Sequence, residues 1–479
     1  MSIIDYLAED YRIQCPKIEM RKSSDNSVLI SGPGYFHVKA NGIITFRIYN
    51  EITIDKELFR EWNSIEHPYK HYIAALDYSG NKWVGNQPDI IVVSDFLGNN
   101  QFPILGNTNQ LESFIENPNG SDSNSEKEIC RGYGIYYREI VKIPYCSSVE
   151  QKTEAGGTVI RERLKRTILP ITFQEKNITL QKDIDDKYFY MHGVYPADVQ
   201  EYDFDHLLND CLNYCTSSLL RPRLIVHFYK NKIQFLINNT FKNRTQVLPN
   251  VLSSTYTKKP VEGEWRSARF SRAFTAYLNF QLLKGKVEMD VGYRDIGTIF
   301  ANICASSLES PFNFAESLCI GCEYCFNLLT KGVQFPKINK SQKQALDQCI
   351  TENFSDKLDE SQISRVKGLL SLLLNPSTKM KLDYLKEHQV ITKAQFKAWD
   401  VIRNKLLHGS VLHDMTQVDF ANNIALLLCM FYRLTYQLIG YEGDCFNYDV
   451  GEGAYKIVEF HYADLTSQMN KEEHKKCQK

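Results

Sequence analysis

The chain of 479 residues lacks both a long apolar run and a strong excess of one charge. Its longest apolar stretch runs from Ile424 to Tyr432, far short of the roughly 20 residues of a membrane-spanning helix. The start, Met1 to Tyr6, lacks the basic residues and apolar core of a secretion signal. The 56 basic and 57 acidic residues leave a formal charge of −1, which excludes a protein that coats nucleic acid through overall basicity. We therefore expect a cytoplasmic protein without membrane contact, in which any nucleic acid is bound by a local patch.

Several enzyme motifs are also missing from the sequence. It contains no Walker A loop, no Gly-x-Ser-x-Gly and no His-Glu-x-x-His, which removes support for P-loop nucleotide hydrolysis, for a nucleophile-elbow hydrolase and for a zinc protease of that class. The 13 cysteines are an odd number spread along the chain, so we interpret them as reduced thiols instead of a disulfide framework. No cofactor is expected.

One cysteine cluster has two interpretations. The spacing Cys319-x-x-Cys322-x-x-Cys325 is typical of metal ligands. However, Leu318, Cys322, Cys325 and Leu329 also fall on one face of a helix, where buried thiols fit well. No fourth Cys or His lies adjacent, so we predict a buried helical face and no metal site, with zinc or iron–sulfur as the alternative.

The first half of the chain is rich in strand patterns. Residues 35–40 and 43–49 alternate around Asn41-Gly42, a pair typical of a type I′ hairpin turn. A strand over 167–173 contains Pro170, which predicts an edge strand. Residues 223–229 and 232–237 form a second predicted hairpin, and the periodicity from Phe204 to Cys215 predicts a helix between them and the earlier strands.

The pattern changes to helices from about residue 300. We predict an α+β multidomain protein in which a β-rich N-terminal half precedes a C-terminal all-α bundle. The predicted divisions are a β-rich domain over 1–117, a second β-rich part with an inserted helix over 128–295, a helical bundle over 300–465 and a charged tail over 466–479. The turn-rich segment 117–125 is a predicted linker.

Two predicted bundle helices flank a turn at Gly409 to Asp414. The first starts at Thr392, where Thr392-x-x-Gln395 forms a capping box. Its predicted buried stripe consists of Phe396, Trp399, Ile402 and Leu406. The second runs from Gln417 to Ile439 and ends at Gly440, as expected of an inner bundle helix.

The first of these helices ends in the candidate catalytic residues Arg403, Asn404 and His408. An arginine grips phosphate through a planar fork and stays charged. A histidine, with an unperturbed pKa of about 6.5, can exchange a proton with a ribose 2′-hydroxyl or a leaving 5′-oxygen. Five residues at about 100° each would set His408 about 140° away from Arg403 on an ideal helix. A helix that stops near Leu407, with Gly409 in a left-handed conformation, allows His408 to approach the arginine.

The plain alternative is that Arg403 is a solvated charge and His408 a residue favoured by the helix dipole. However, the pattern Arg-Asn-x-x-x-His, with Trp399 before it and Gly409 after it, resembles the signature of the HEPN superfamily of helical bundles, which is rich in ribonucleases. A β-rich half before such a bundle resembles the ApeA-type anti-phage proteins. The segment Val28 to Gly34 is similar to the beginning of their N-terminal domain.

The resemblance implies a metal-independent endoribonuclease that cleaves cellular RNA, with tRNA as one candidate, in abortive-infection defence. Arg403 would bind the scissile phosphate, His408 would act as general base or acid, and Asn404 would orient either group. The resemblance also implies a homodimer or higher even homo-oligomer and a phage-derived trigger. The alternative is a non-catalytic bundle that serves as an interaction module, with an N-terminal domain that recognises a ligand or phage component.

Two basic clusters are candidates for RNA binding outside the signature. Their arginines are Arg161, Arg163, Arg266, Arg269 and Arg272. Charges at such alternate or third positions are also typical of a solvated strand or helix face, so both interpretations stay open.

Overall fold

The structure is a computed structural model. It describes residues 10–39, 42–49, 71–86, 88–92, 104–108, 110–116, 132–137, 143, 149–155, 158–164, 168–182, 188–195, 201–229, 232–238, 248–249, 263–287, 295–335, 339–354, 356–372, 374–407 and 415–465. The chain divides into two compact units, Met1–Thr275 and Ala276–Lys479. The division falls inside a helix, ahead of the predicted boundary at 295–300, and the linker predicted over 117–125 lies outside the described residues. The domain boundaries stay predictions.

The first unit is built on a large antiparallel sheet. Its strands are β1 (Tyr11–Lys22), β2 (Val28–Val38), β3 (Ile44–Ile48), β4 (His71–Leu76), β5 (Lys82–Asn86), β6 (Asp89–Val92), β7 (Ile104–Thr108), β8 (Gln110–Glu116), β9 (Gly132–Tyr137), β10 (Val149–Ala155), β11 (Thr158–Leu164), β12 (Ile168–Phe173), β13 (Lys176–Lys182), β14 (Phe189–Gly193), β15 (Leu224–Phe228) and β16 (Lys232–Asn238).

Fourteen of these strands form one sheet in the order β12-β13-β14-β9-β15-β16-β8-β5-β4-β1-β2-β3-β7-β6, and β10 pairs with β11 alone. Strands from both predicted β-rich parts meet where β8 pairs with β16. The predicted α+β class is therefore confirmed.

The predicted hairpin of β2 and β3 is confirmed, with Tyr35 opposite Arg47. Gly42 has a φ of 90° and donates its backbone N–H to the Lys39 carbonyl at 2.9 Å, although Asn41 lies outside the described residues. The alternation buries Phe36 and one side of the hairpin, which leaves the other side facing outward.

The segment Val28 to Gly34 lies within β2, and its glycines have a steric role. A Cβ atom on Gly34 would lie 2.0 Å from the carbonyl oxygen of Arg47, and one on Gly32 would lie 2.0 Å from that of Tyr49. Backbone oxygens cannot yield as a flexible side chain can. Glycine is therefore required where β3 approaches β2 this closely.

Two further β predictions are confirmed. Strand β12, which contains Pro170, is the first strand in the sheet order and therefore an edge. Strands β15 and β16 form the second predicted hairpin.

The predicted helix α1 (Glu201–Thr216) is confirmed and is anchored to the sheet. Phe204 is fully buried and meets the rings of Tyr133 and Tyr195. Asp205 accepts a hydrogen bond from the Tyr195 hydroxyl at 2.8 Å and pairs with Nε2 of His227 on β15 at 2.7 Å. A buried carboxylate needs such partners.

The remaining helices are α2 (Gly263–Val287), α3 (Asp295–Ser307), α4 (Pro311–Leu329), α5 (Lys340–Phe354), α6 (Glu360–Leu372), α7 (Thr378–Glu387), α8 (Lys393–Leu407) and α9 (Gln417–Ile439), followed by the hairpin β17 (Gly443–Asp449) and β18 (Ala454–Phe460). Helix α9 ends as predicted, with Gly440 in the left-handed conformation at a φ of 71°. Much of the buried core of the second unit comes from two helices, α4 between Ala315 and Phe326 and α9 from Ala425 onward.

Candidate functional site

Helix α8 begins at the predicted capping box. The Thr392 backbone N–H donates to Oε1 of Gln395 at 3.0 Å, and the Gln395 backbone N–H donates to Oγ1 of Thr392 at 3.2 Å. The buried Gln395 side chain also donates to Oδ1 of Asn447 on β17 at 3.0 Å. The start of α8 is therefore fixed by reciprocal hydrogen bonds that the sequence predicts.

The predicted apolar stripe packs α8 against α4. Trp399 and Ile402 are 3% and 0% exposed. The Trp399 ring meets Phe326 edge-on, with centroids 5.6 Å apart, and its Nε1 donates to the Cys319 carbonyl at 3.5 Å. Phe396 is only half-buried, and the Leu406 side chain lies outside the described part. The buried Trp399 ring, one helical turn before Arg403, gives the arginine side chain a fixed surface to pack on.

The Arg403 side chain packs on the Trp399 ring and remains partly exposed to solvent. Its guanidinium carbon is 5.1 Å from the Trp399 ring centroid, and Nε is 3.6 Å from Oε2 of Glu323 on α4, with side chains 32% and 39% exposed. Among the described residues, no other ion pair or hydrogen bond involves this guanidinium. Because Glu323 faces Nε, the outer pair of nitrogens can still bind a phosphate.

The local field around Arg403 contains opposing charges. Burial raises the pKa of the Cys319 thiol to about 12, while Arg403 lowers this pKa and Glu323 and Glu316 raise it. These effects place one guanidinium and two carboxylates near the same thiol. An incoming phosphate would therefore be attracted by the Arg403 guanidinium and repelled by its partner Glu323.

Asn404 is exposed and bonds along its own helix. Its Nδ2 donates to Oδ1 of Asp400 at 3.1 Å. This i,i+4 pair leaves the amide oxygen available, but in the described part of the chain no hydrogen bond joins the side chains of Asn404 and Arg403. The expectation that Asn404 orients the phosphate or the imidazole stays a prediction.

The histidine of the signature falls outside the described residues. Helix α8 is described as far as Leu407, and α9 begins after its N-cap Thr416. His408 and Gly409 lie in the interval between them. The structure therefore locates Arg403 and Asn404, and the approach of His408 to Arg403 stays a prediction.

The cysteine cluster on α4 is buried, as the helical-face interpretation predicts. Cys319, Cys322 and Cys325 are 6%, 0% and 0% exposed. Burial raises the pKa of Cys322 and Cys325 well above the ordinary thiol value, which disfavours the thiolate that a metal needs. In the described part of the chain, no three His, Cys, Asp or Glu side chains are arranged so that they could hold a metal ion together.

The candidate RNA-binding arginines have different placements. Arg272 on α2 is exposed, whereas Arg269 is 1% exposed. As placed, the Arg269 side chain is unavailable to a ligand in solution. Arg161 and Arg163 belong to β11 and Arg266 to α2, with side chains outside the described part. RNA binding by either cluster therefore stays a prediction, because only the side chains of Arg269 and Arg272 are described.

Glu323 is the site residue that sequence reasoning missed. It belongs to the outward stripe of α4, together with Glu316 and Ile320, which is 58% exposed. An acidic residue on a solvated stripe gives no functional signal in the sequence.

No protein-family model, no curated protein and no solved structure matches this chain. Within the described ranges, no helix is both long and apolar enough to cross a membrane.

Proposed function

We propose that the chain is a metal-independent endoribonuclease of the HEPN type. The observation that carries the proposal is the setting of Arg403, a part-exposed guanidinium over a buried tryptophan. Its helix is described up to Leu407, and His408 is the next residue in the sequence. A charge fixed by packing near the end of a helix supports electrostatic stabilisation of a reacting phosphate.

The proposed reaction needs two proton transfers and no metal. The ribose 2′-oxygen loses its proton and attacks the adjacent phosphorus, while the 5′-oxygen of the next nucleotide leaves and gains a proton. The products are a 2′,3′-cyclic phosphate and a free 5′-hydroxyl. His408 serves as base or acid, and Arg403 stabilises the charge that develops on the phosphate oxygens.

A dimer would supply both proton carriers. One chain offers one His408 for two proton transfers, so two copies around a two-fold axis would complete the site. Ile320 is exposed one turn from Glu323 on α4, and Val418 is 68% exposed at the start of α9. Exposed apolar residues in the helices that flank the signature are compatible with a pairing surface here.

Cleavage in the presence of EDTA tests the proposal. Purified protein is incubated with total bacterial RNA, and the new ends are analysed chemically. We expect 2′,3′-cyclic phosphates from wild type and none from Arg403→Ala or His408→Ala. Mixing these two variants should restore part of the activity, because a mixed dimer has one intact Arg and one intact His. A strictly monomeric protein that cleaves at full rate would disprove the composite site.

The biological role we propose is anti-phage defence by cleavage of cellular RNA, with tRNA as one substrate, in response to a phage-derived trigger recognised by the β-rich unit. Induced expression that stops growth only when Arg403 and His408 are intact, and infection that stimulates cleavage, would support this role.

One observation favours a second candidate function. Glu323 is paired with Arg403, and Glu316 and Asp400 lie on the neighbouring exposed helix faces. An arginine neutralised in this way also suits a non-catalytic bundle that binds a partner. Folded, dimeric protein that leaves RNA intact in the presence of infected-cell extract would favour this second function.

A further inference from the structure

The outward side of β1, β2 and β3 carries alternating arginines and aromatic residues. The strand register sets Arg12 opposite His37 and Tyr35 opposite Arg47. The alternate residues Phe36, Val38 and Phe46 point to the core. Tyr49 follows directly after β3 and is 46% exposed. We call the surface formed by Arg12, Tyr35, Arg47 and Tyr49 the Arg/Tyr face.

The four side chains of the Arg/Tyr face form a continuous row. Arg12 lies over the Tyr35 ring at 5.0 Å from its centroid, and Arg47 lies over the Tyr49 ring at 4.9 Å. The two tyrosine centroids are 6.4 Å apart with an interplanar angle of 55°. Each guanidinium is held by an aromatic ring, and the two rings are neighbours.

Neither guanidinium is satisfied by the part of the protein that the structure describes. The side chains of Arg12 and Arg47 have no carboxylate partner and donate no hydrogen bond there. Nε of Arg47 is buried without an acceptor, so a phosphate from solution would contact the terminal nitrogens of that guanidinium. Asp10, two residues before Arg12, is paired with His37. The two guanidinium groups thus have unused N–H donors, and the oxygens of a phosphate group can accept hydrogen bonds from them.

We propose that the Arg/Tyr face binds single-stranded nucleic acid. Tyr35 and Tyr49 present rings on which unpaired bases stack, and Arg12 and Arg47 contact the phosphates beside them. A duplex keeps its base faces stacked inside and cannot use the rings in this way. The proposal does not rest on the nuclease activity, because binding occurs at residues of the first unit and requires no cleavage.

Binding can be measured with a probe that resists cleavage. A 5′-fluorescein ten-nucleotide oligouridine with 2′-O-methyl groups has no 2′-hydroxyl to act as nucleophile. Its fluorescence anisotropy is titrated with the full chain between 50 and 200 mM salt. We expect Arg12→Ala with Arg47→Ala to weaken binding at least tenfold and to reduce the slope of log K against log salt by about 1.4, from about 0.7 for each lost phosphate contact with a single strand.

The tyrosines test stacking separately from charge. Tyr35→Ala and Tyr49→Ala should each weaken binding by about 5- to 150-fold, the range for loss of one stacked base. Tyr49→Phe should bind like wild type because the ring is kept. Tyr78, which is 78% exposed, and Lys82, which is exposed on β5, give matched controls as Tyr78→Ala and Lys82→Ala. Both controls should retain wild-type affinity.

Three results would overturn the proposal. These are absence of binding by wild type at millimolar protein, equal affinity for a blunt duplex of the same length, or unchanged affinity and salt slope in the folded double arginine variant. The melting temperature of each variant establishes folding. If these variants lose binding but keep cleavage, the Arg/Tyr face is separate from the candidate nuclease site. If the wild-type protein binds the probe but cleaves no RNA, this proposal stands and the proposed function fails.

Discussion

Replacement of Arg403 by alanine should abolish cleavage at little cost in stability. The ion pair with Glu323 is exposed and its atoms are 3.6 Å apart, so its loss costs about 0.2–1 kcal/mol. The contact over the Trp399 ring adds about 0.5–1 kcal/mol. The free energy of unfolding should therefore fall by at most about 2 kcal/mol, which corresponds to a Tm decrease below about 8 °C for a unit of this size.

The expected effect on cleavage is much larger. Removal of one group that stabilises transition-state charge typically lowers kcat by about 10²–10³-fold. Arg403→Lys should give an intermediate rate, because lysine keeps the charge but lacks the planar fork.

Two other arginines provide controls for this prediction. Arg433 donates to the backbone oxygens of Val390 and Gln389 at 2.8 and 2.7 Å, so Arg433→Ala should destabilise the protein more than Arg403→Ala does. Arg365 is exposed on α6, and Arg365→Ala should change neither stability nor cleavage. Rates are measured on labelled RNA under single-turnover conditions, with thermal melts in parallel. A folded Arg403→Ala variant that cleaves at the wild-type rate would refute the assignment.

Three further predictions concern other residues. Glu323→Gln should slow cleavage by no more than about fivefold, because an exposed ion pair is worth at most about 1 kcal/mol, and a loss as large as that of Arg403→Ala would make Glu323 a catalytic residue. Burial raises the pKa of Asp210 from 3.8 to about 6, so wild type loses stability as the pH rises through this range. Asp210→Asn should avoid that loss, so its free energy of unfolding should exceed that of wild type by at most about 3 kcal/mol at pH 8 but by almost nothing near pH 4. An equal gain at both pH values in urea melts would show that the ionisation of Asp210 is not the cause. Joint replacement of Cys319, Cys322 and Cys325 by Ser should lower the melting temperature before it affects chemistry, because the serine hydroxyls would be buried, whereas stoichiometric zinc or iron in the wild-type protein would point to a metal site.

The sequence predicts elements whose signals are local. The capping box at Thr392, the left-handed Gly440 and the edge position of the strand with Pro170 each depend on a few adjacent residues. The ends of these elements were therefore predictable. The order of the fourteen strands was not, because pairs such as β8 with β16 join distant segments and no short pattern specifies them.

Helices α2 and α3 and strand β17 were not predicted. The buried positions of α2 include Phe270, Phe274, Tyr277 and Leu278, which recur at helical spacing. Aromatic residues are also typical of strands. In a β-rich half of the chain, this aromatic content made the helical spacing of α2 hard to distinguish from a strand pattern. Strand β17 is short and is defined by its pairing with β18, so its own residues carry little pattern that identifies it as a strand.

The candidate site divides in the same way. Arg403 and the helix that carries it follow from adjacent residues. The partnership with Glu323 depends instead on how α4 packs against α8, where the contact of Trp399 with Cys319 spans 80 residues of sequence. Side chains that meet across two helices are specified by the packing of the core, which a single sequence does not reveal.

The charges around Arg403 impose a condition on any ribonuclease function. One guanidinium paired with Glu323 can position a phosphate but offers little affinity for a polyanion. RNA must then be bound mainly by cations elsewhere, either on a second copy of the signature helix or on a surface such as the Arg/Tyr face. If the cation is mainly catalytic, Arg403→Ala should lower kcat far more than it raises KM. A variant that raises KM alone would show that Arg403 holds substrate without stabilising the transition state, and the catalytic charge would then have to come from another residue.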